Sequence, residues 1–208
     1  TQYEGAFAEE AVKEALEATR KSDVLVVGPG LTVSEGTSAF LSELLDNADK
    51  PVVLDADALT IVAARHGSAA AYPKQAVVLT PHEGEAARLL GRRVDDRLQA
   101  ARVLAERFDA TVVLKGPRTL VADACGMVFQ CENAGPELAK AGTGDVLAGM
   151  VGAFMAQHVL PSRAAALATY IHGAAGAVAA RRLSRYSVVP EDVIECIGPA
   201  INELLADS

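Results

Sequence analysis

Asp23-Val24-Leu25-Val26-Val27-Gly28-Pro29-Gly30-Leu31 decides the fold class. Val24 to Val27 is a continuous apolar run without polar alternation, the pattern of a strand covered on both faces in a parallel sheet. Glycines follow at once, and the carboxyl end of a strand is where open α/β sheets bind their ligands. A tight turn from strand to helix explains one glycine easily and two less so; the second leaves the backbone able to approach something bound.

Outward from this stretch the pattern repeats. Pro51-Val52-Val53-Leu54-Asp55, Ala76-Val77-Val78-Leu79-Thr80 and Val112-Val113-Leu114 are further buried-strand runs, each ending in polar or turn residues. Helical periodicity fills the gaps. Ser34 is placed to cap an amphipathic helix reaching about Asp46 through Phe40, Leu41, Leu44 and Leu45. His82-Glu83-Gly84-Glu85 opens another through Ala86, Leu89 and Leu90, and Asp95 or Asp96 caps a third reaching about Arg107. Upstream, Ala6 to Lys21 reads as a surface helix with Ala11, Ala15 and Ala18 on its apolar face. After Leu114 the alternation changes: Leu120-Val121-Ala122 and Met127-Val128-Phe129, around Asp123-Ala124-Cys125-Gly126, form a β-hairpin pattern. Ser162 to Arg182 is an Ala-rich helix of the buried kind, and Pro190 starts a last amphipathic helix running to Leu204-Leu205. These elements predict one α/β domain over residues 1–208, with a mostly parallel sheet flanked by helices.

Bulk properties exclude several function classes. Of the 208 residues half are hydrophobic, only 4% are aromatic and none is Trp, which argues against an aromatic RNA-binding platform. A net charge of −8 without clustered Lys and Arg argues against nucleic acid as a partner. No apolar run is long enough to cross a bilayer, and no signal peptide is present, so no membrane association and a cytoplasmic location are expected. Cys125, Cys131 and Cys196 lack metal-ligand spacing and are expected to be reduced thiols.

The chemistry concentrates in Gly142-Thr143-Gly144-Asp145, which follows the loop signal Asn133-Ala134-Gly135-Pro136 and precedes a helix through Leu147, Met150, Val151 and Phe154. Glycines at a helix start let the backbone come close to an anion that the first-turn N–H groups and the helix dipole attract. An acid there opposes a phosphate unless it serves as a base beside a transferring group, so the tetrapeptide reads as an anion hole with a general base. The competing reading has Thr143 or Asp145 merely capping the helix. Asp55-Ala56-Asp57 suits hydroxyls or a metal-bound phosphate, or else Asp57 caps a helix beginning at Ala58. His82 sits beside acids at a strand end and is a ligand candidate; Lys115 is placed to meet a phosphate. His172, within the Ala-rich helix, reads as a satisfied core residue.

Five motifs together carry a resemblance: Gly28-Pro29-Gly30, Asp55-Ala56-Asp57-Ala58-Leu59, Thr80-Pro81-His82 with Gly84-Glu85, Leu114-Lys115-Gly116 with Thr119, and Gly142-Thr143-Gly144-Asp145-Val146-Leu147-Ala148-Gly149. In order and spacing the chain resembles the ADP- or ATP-dependent NAD(P)H-hydrate dehydratases, to its final helix. The resemblance implies a ribokinase-like three-layer αβα fold with the hairpin near a nucleotide site. It implies repair of hydrated NADH or NADPH, with ADP or ATP and Mg²⁺: phosphorylation of the ring hydroxyl, then loss of phosphate. By the same likeness Asp145 is the catalytic acid-base residue and touches substrate with Gly30 and His82. Lys115, Gly116, Pro117, Arg118, Thr119, Gly142, Thr143 and Gly144 would hold the adenine nucleotide, the N–H groups of Gly142, Thr143 and Gly144 facing the phosphoryl group. No direct metal ligand is expected, Glu85 acting on Mg²⁺ through water.

Glu83 stands where such enzymes usually have Pro. They also carry an upstream strand, Gly-rich loop and helix that the chain is expected to lack. Some carry an upstream epimerase domain, so such a domain or partner stays open, and a homo-oligomer is implied. Hydroxyethylthiazole-type kinases of the same fold share the Gly-Thr-Gly-Asp logic, and a silent nucleotide-binding subunit is the remaining alternative.

Overall fold

The structure, a computed structural model, describes residues 11–64 and 76–206. Its sheet has six strands in sequence order: β1 (Leu25–Val27), β2 (Val52–Leu54), β3 (Val77–Leu79), β4 (Thr111–Leu114), β5 (Thr119–Ala122) and β6 (Val128–Cys131). The first four are parallel and the last two antiparallel, so the expected hairpin extends into a meander from β4 to β6. The polar turn Lys115 to Arg118 therefore projects beyond the end of β4 and into the edge of the site.

Strand alternation sorts the apolar residues into two layers. Val52, Leu54, Val77, Leu79, Val112 and Leu114 point into one core with helices α2 (Glu35–Asn47), α3 (Ala56–Ala64), α4 (Glu83–Leu90) and α5 (Arg97–Phe108). Val53, Val78, Val113 and Val121 point to the other face, covered by α6 (Thr143–Ala156), α7 (Pro161–Leu183) and α9 (Ile197–Ala206). Sequential parallel strands joined by crossovers of one hand put every connecting helix on one side. The opposite face stays bare until the chain returns after β6, and the Gly142 motif opens the first helix to cover it.

Local signals place most helix ends. Ser34 caps α2 by accepting from the Thr37 N–H at 3.1 Å, and Asp96, of the two candidates, caps α5 by accepting from Gln99. Three expectations change. Ahead of and along α1 (Val12–Thr19), Ala11 and Ala15 pack as expected together with Val12 and Leu16, but Ala18 is exposed; Ala6 to Glu10 lie outside the described residues. Asp57 does not cap a helix at Ala58: α3 begins at Ala56, and the Asp57 carboxylate accepts from the Thr32 N–H at 2.9 Å, pinning the loop after β1. The last helix divides at Cys196 into α8 (Pro190–Glu195) and α9, because Pro199 has no N–H for the bond that would continue α8. No described helix is long and apolar enough to cross a membrane.

Candidate active site at the strand ends

The sheet register lines up the carboxyl ends of β1 to β4, and the residues just beyond β2, β3 and β4 build one wall of a cavity of about 750 Å³. That volume is in the range of small-molecule sites. Gly28 is required where it stands: its φ is +133°, and a Cβ there would lie 1.7 Å from the Asp55 carbonyl oxygen. Gly28 thus lets the β1 and β2 loops meet.

Asp55, 1% exposed, is the buried anion of this wall. Its Oδ1 receives the Lys115 Nζ at 2.7 Å, and Glu85 Oε2 lies 3.9 Å from the same ammonium. Lys115 is itself fixed by its backbone, whose N–H donates to Pro81 O at 2.8 Å, and it pairs with His82 in an isolated parallel bridge. His82 serves as the N-cap of α4: Nδ1 accepts from the N–H groups of Gly84 and Glu85, and Glu85 Oε2 accepts from the His82 N–H at 2.7 Å. His82 Nε2 lies 3.6 Å from Glu85 Oε1, and the residue also lines the cavity. Glu85 is the second half of that capping box and is nearly buried.

The turn from Lys115 to Thr119 is closed from within, Thr119 Oγ1 donating to Gly116 O at 2.9 Å. From outside, the Arg97 guanidinium donates to the carbonyls of Leu114, Lys115 and Arg118. Sequence reasoning gave Arg97 no role; its three acceptors come from a strand end and turn 17 to 21 residues away. Lys115, Gly116, Pro117 and Thr119 line the cavity, whereas Arg118 and Gly30 are exposed and lie off its lining.

The opposite wall is the start of α6. Gly142 is its N-cap, at φ +89°, and no side chain caps the first turn, so neither Thr143 nor Asp145 has the capping role. Thr143 is buried and spends both its polar groups on the preceding turn. Its hydroxyl donates to Leu138 O and Lys140 O at 2.6 and 2.8 Å, and its N–H to Lys140 O at 3.3 Å. The expectation that the Thr143 N–H faces a phosphoryl group is thereby corrected; Gly144 and Asp145 carry the forward amides. Lys140 holds the turn from behind, its ammonium donating to the carbonyls of Tyr186 and Val188.

Asp145 stands in the cavity opposite the Asp55–Lys115 pair. Partial burial, and secondarily the Asp55 carboxylate, push its pKa up; Lys115 pulls the other way. A carboxyl held above its usual range is a stronger base when ionised. A Cβ placed on Gly144 would lie 3.2 Å from the Lys115 Nζ and 3.7 Å from Asp55 Oδ2, so the anion turn and the charge pair face each other across a narrow gap.

His172 departs from the expectation of a satisfied core residue. It is 6% exposed, but Nε2 has no hydrogen-bond partner and the residue lines the cavity. Burial lowers its pKa to about 4, the Thr143 backbone opposing and Lys115 assisting. The three cysteines are free; Cys131 and Cys196 are buried and Cys125 is exposed, and burial raises the Cys131 thiol pKa.

Comparison with known proteins places this geometry. The family model described as NAD(P)H-hydrate dehydratase matches residues 2–199. The chain is 37% identical to a bifunctional NAD(P)H-hydrate repair enzyme of Moorella thermoacetica over 211 residues, covering 96% of the chain and 38% of that protein. It is 44% identical to the ADP-dependent (S)-NAD(P)H-hydrate dehydratase of Neisseria meningitidis over 160 residues, covering 74% of the chain and 54% of that protein. The chain thus spans about half or less of the length of these relatives. Among solved structures, the Bacillus subtilis ADP/ATP-dependent NAD(P)H-hydrate dehydratase co-crystallised with ATP/Mg²⁺ superposes with a TM-score of 0.76 at 30% identity, over 87% of this chain and 64% of that one. A ribokinase-like superfamily protein from Enterococcus faecalis superposes with a TM-score of 0.80 at 28% identity, over 94% of this chain and 68% of that one. The three-layer fold is therefore ribokinase-like, and the chain belongs to the NAD(P)H-hydrate dehydratase family.

Proposed function

We propose that the chain carries out nucleotide-dependent dehydration of hydrated NADH or NADPH, and the observation that carries this reading is the start of α6. There a helix N-terminus left uncapped by any side chain presents its amides beside a carboxyl of raised pKa, across a narrow gap from Lys115. Backbone amides placed so stabilise charge on a transferring phosphoryl group. Asp145 takes the proton from the ring hydroxyl as its oxygen attacks the terminal phosphorus of ADP or ATP, and the bridging P–O bond breaks to release AMP or ADP. The phosphate ester formed is a good leaving group where hydroxide is a poor one. The ring-nitrogen lone pair expels phosphate, and loss of a neighbouring ring proton restores the dihydropyridine.

Lys115 to Thr119 and Gly142 to Gly144 bound the nucleotide region, and His82, with Gly30 at the outer rim, the hydrated ring. Gly30 and Arg118 contribute where the ligand extends past the cavity. Among the described residues no group of three His, Cys, Asp or Glu converges to hold a metal ion. Asp55, Glu85 and Asp145 nevertheless outnumber the nearby Lys115 ammonium, an excess of negative charge that fits a Mg²⁺ arriving with the phosphates and held through water by Glu85. The ion would supply neutralisation of charge on the phosphates.

The test is the reduced-nicotinamide absorbance after mixing the protein with chemically hydrated NADH, Mg²⁺ and ADP or ATP. A nucleotide-dependent rise with release of inorganic phosphate is expected. Accumulation of a stable phosphorylated product would assign a kinase instead, and nucleotide binding without either product a silent subunit.

A further inference from the structure

We propose that His172 recognises the base of the bound nucleotide, its Nε2 forming a hydrogen bond with the base's polar edge; the inference rests on the nucleotide site just proposed. α7 crosses close behind the anion turn. A Cβ on Gly173 would lie 2.5 Å from Asn133 Oδ1, and one on Gly176 would lie 2.7 Å from Leu138 Cδ2. These two glycines bring the helix onto the segment between β6 and α6, and His172, next in the chain to Gly173, becomes part of the cavity wall.

The wall around it is of a different character from the strand ends. Ala134, Pro136, Leu138 and Ala139 line the same cavity and present apolar surface, whereas Asp55, Glu85 and Lys115 stand at the strand ends and Asp145 at the start of α6. With phosphates at the start of α6, the strand-end side faces the reacting groups, and the apolar side is left for the planar, uncharged part of the nucleotide. Small-molecule sites combine such an apolar wall with a few placed polar groups that fix orientation. His172 Nε2 is such a group: buried, without a partner in the protein, and part of the cavity wall. Buried polar atoms are otherwise almost always paired, so an unpaired one at a cavity wall marks where a ligand atom completes the pairing.

Without a charge, His172 offers the phosphates no ionic attraction. Burial keeps the imidazole neutral at physiological pH. Nε2 of a neutral ring is either an N–H donor or a lone-pair acceptor, and the mixed edge of a base offers a partner to either, whereas phosphate oxygens can only accept.

Binding of Mg²⁺-ADP and of Mg²⁺-pyrophosphate, which has no base, to the full chain separates this role from a structural one. His172→Phe keeps a ring without nitrogens, His172→Leu removes the ring, and His172→Gln restores a polar atom. Loss of one hydrogen bond predicts ADP affinity reduced about tenfold in the Phe and Leu variants, less in the Gln variant, with pyrophosphate affinity changed by under about twofold in all three. Equal weakening of both probes would make His172 a prop for the anion turn and overturn the inference, as would unchanged ADP affinity. A wild-type chain that binds pyrophosphate but gains nothing from the adenosine overturns the base contact alone. One that binds neither overturns the nucleotide site, and the inference with it.

Discussion

The two walls of the cavity treat their polar groups in opposite ways. At the strand ends they are satisfied within the protein: Asp55 with Lys115, Glu85 with the His82 N–H, His82 with the first turn of α4, Thr119 with its own turn. On the helical wall the first turn of α6 is uncapped, Asp145 has a raised pKa, and His172 Nε2 is unpaired. The difference is one of preorganisation. The strand-end wall holds its shape without a ligand, and the helical wall keeps unpaired the groups that a ligand would use. Substitutions on the first wall should therefore cost stability as well as binding, and on the second mainly binding and turnover.

The largest effect on stability is expected from Lys115→Met. It leaves Asp55 as a buried carboxylate without its cation, and breaking such a pair typically costs about 3–5 kcal/mol. Urea unfolding measures this directly, and a loss well under 1 kcal/mol would mean that the strand-end wall does not depend on the pair.

A second effect sharpens the contrast from the other wall. Folded His172 binds its proton only below about pH 4, whereas the unfolded residue does so near pH 6.5. In that window the unfolded state holds the extra proton, so the stabilising contribution of the neutral imidazole is full above pH 6.5 and is lost as pH falls towards 4. The loss is of order 3 kcal/mol. His172→Leu should flatten this part of the stability profile relative to wild type while leaving the steeper carboxylate losses at lower pH in place. An unchanged slope between pH 6.5 and 4 would place a charged His172 in the folded state.

How much of this was legible in the sequence follows the range of the interactions. The apolar runs of β2, β3 and β4 became strands buried on both faces, which needs nothing beyond the run itself, and Ser34 and Asp96 reach amides three residues on. The Val24 to Val27 run also became a strand, but β1 comes first in the strand order and leaves Val26 exposed, against the expectation of cover on both faces; position within the sheet is not written in the run. The role of Asp57 stayed open between ligand contact and helix cap because its partner is the Thr32 N–H, 25 residues upstream, and no local window contains it. The Asp55–Lys115 pair spans 60 residues and joins two motifs that were each read alone. For His172 the alanines around it announced burial correctly; that Nε2 lacks a partner depends on how α7 crosses the turn before α6. Pro199, by contrast, was a local sign of the break between α8 and α9, plain in the chain.

The measurement that tests the account most directly is Asp145→Asn, assayed for nucleotide-dependent recovery of NADH from its hydrate and, in parallel, for ADP binding. The substitution keeps the size of the side chain and removes the base. Turnover should fall by about 10²–10⁴-fold, the usual worth of a positioned acid-base group, while ADP binds as well as or better than in wild type, one opposing charge having gone. Turnover that survives with Asn at position 145 would contradict the assignment of Asp145 as the base at the start of α6.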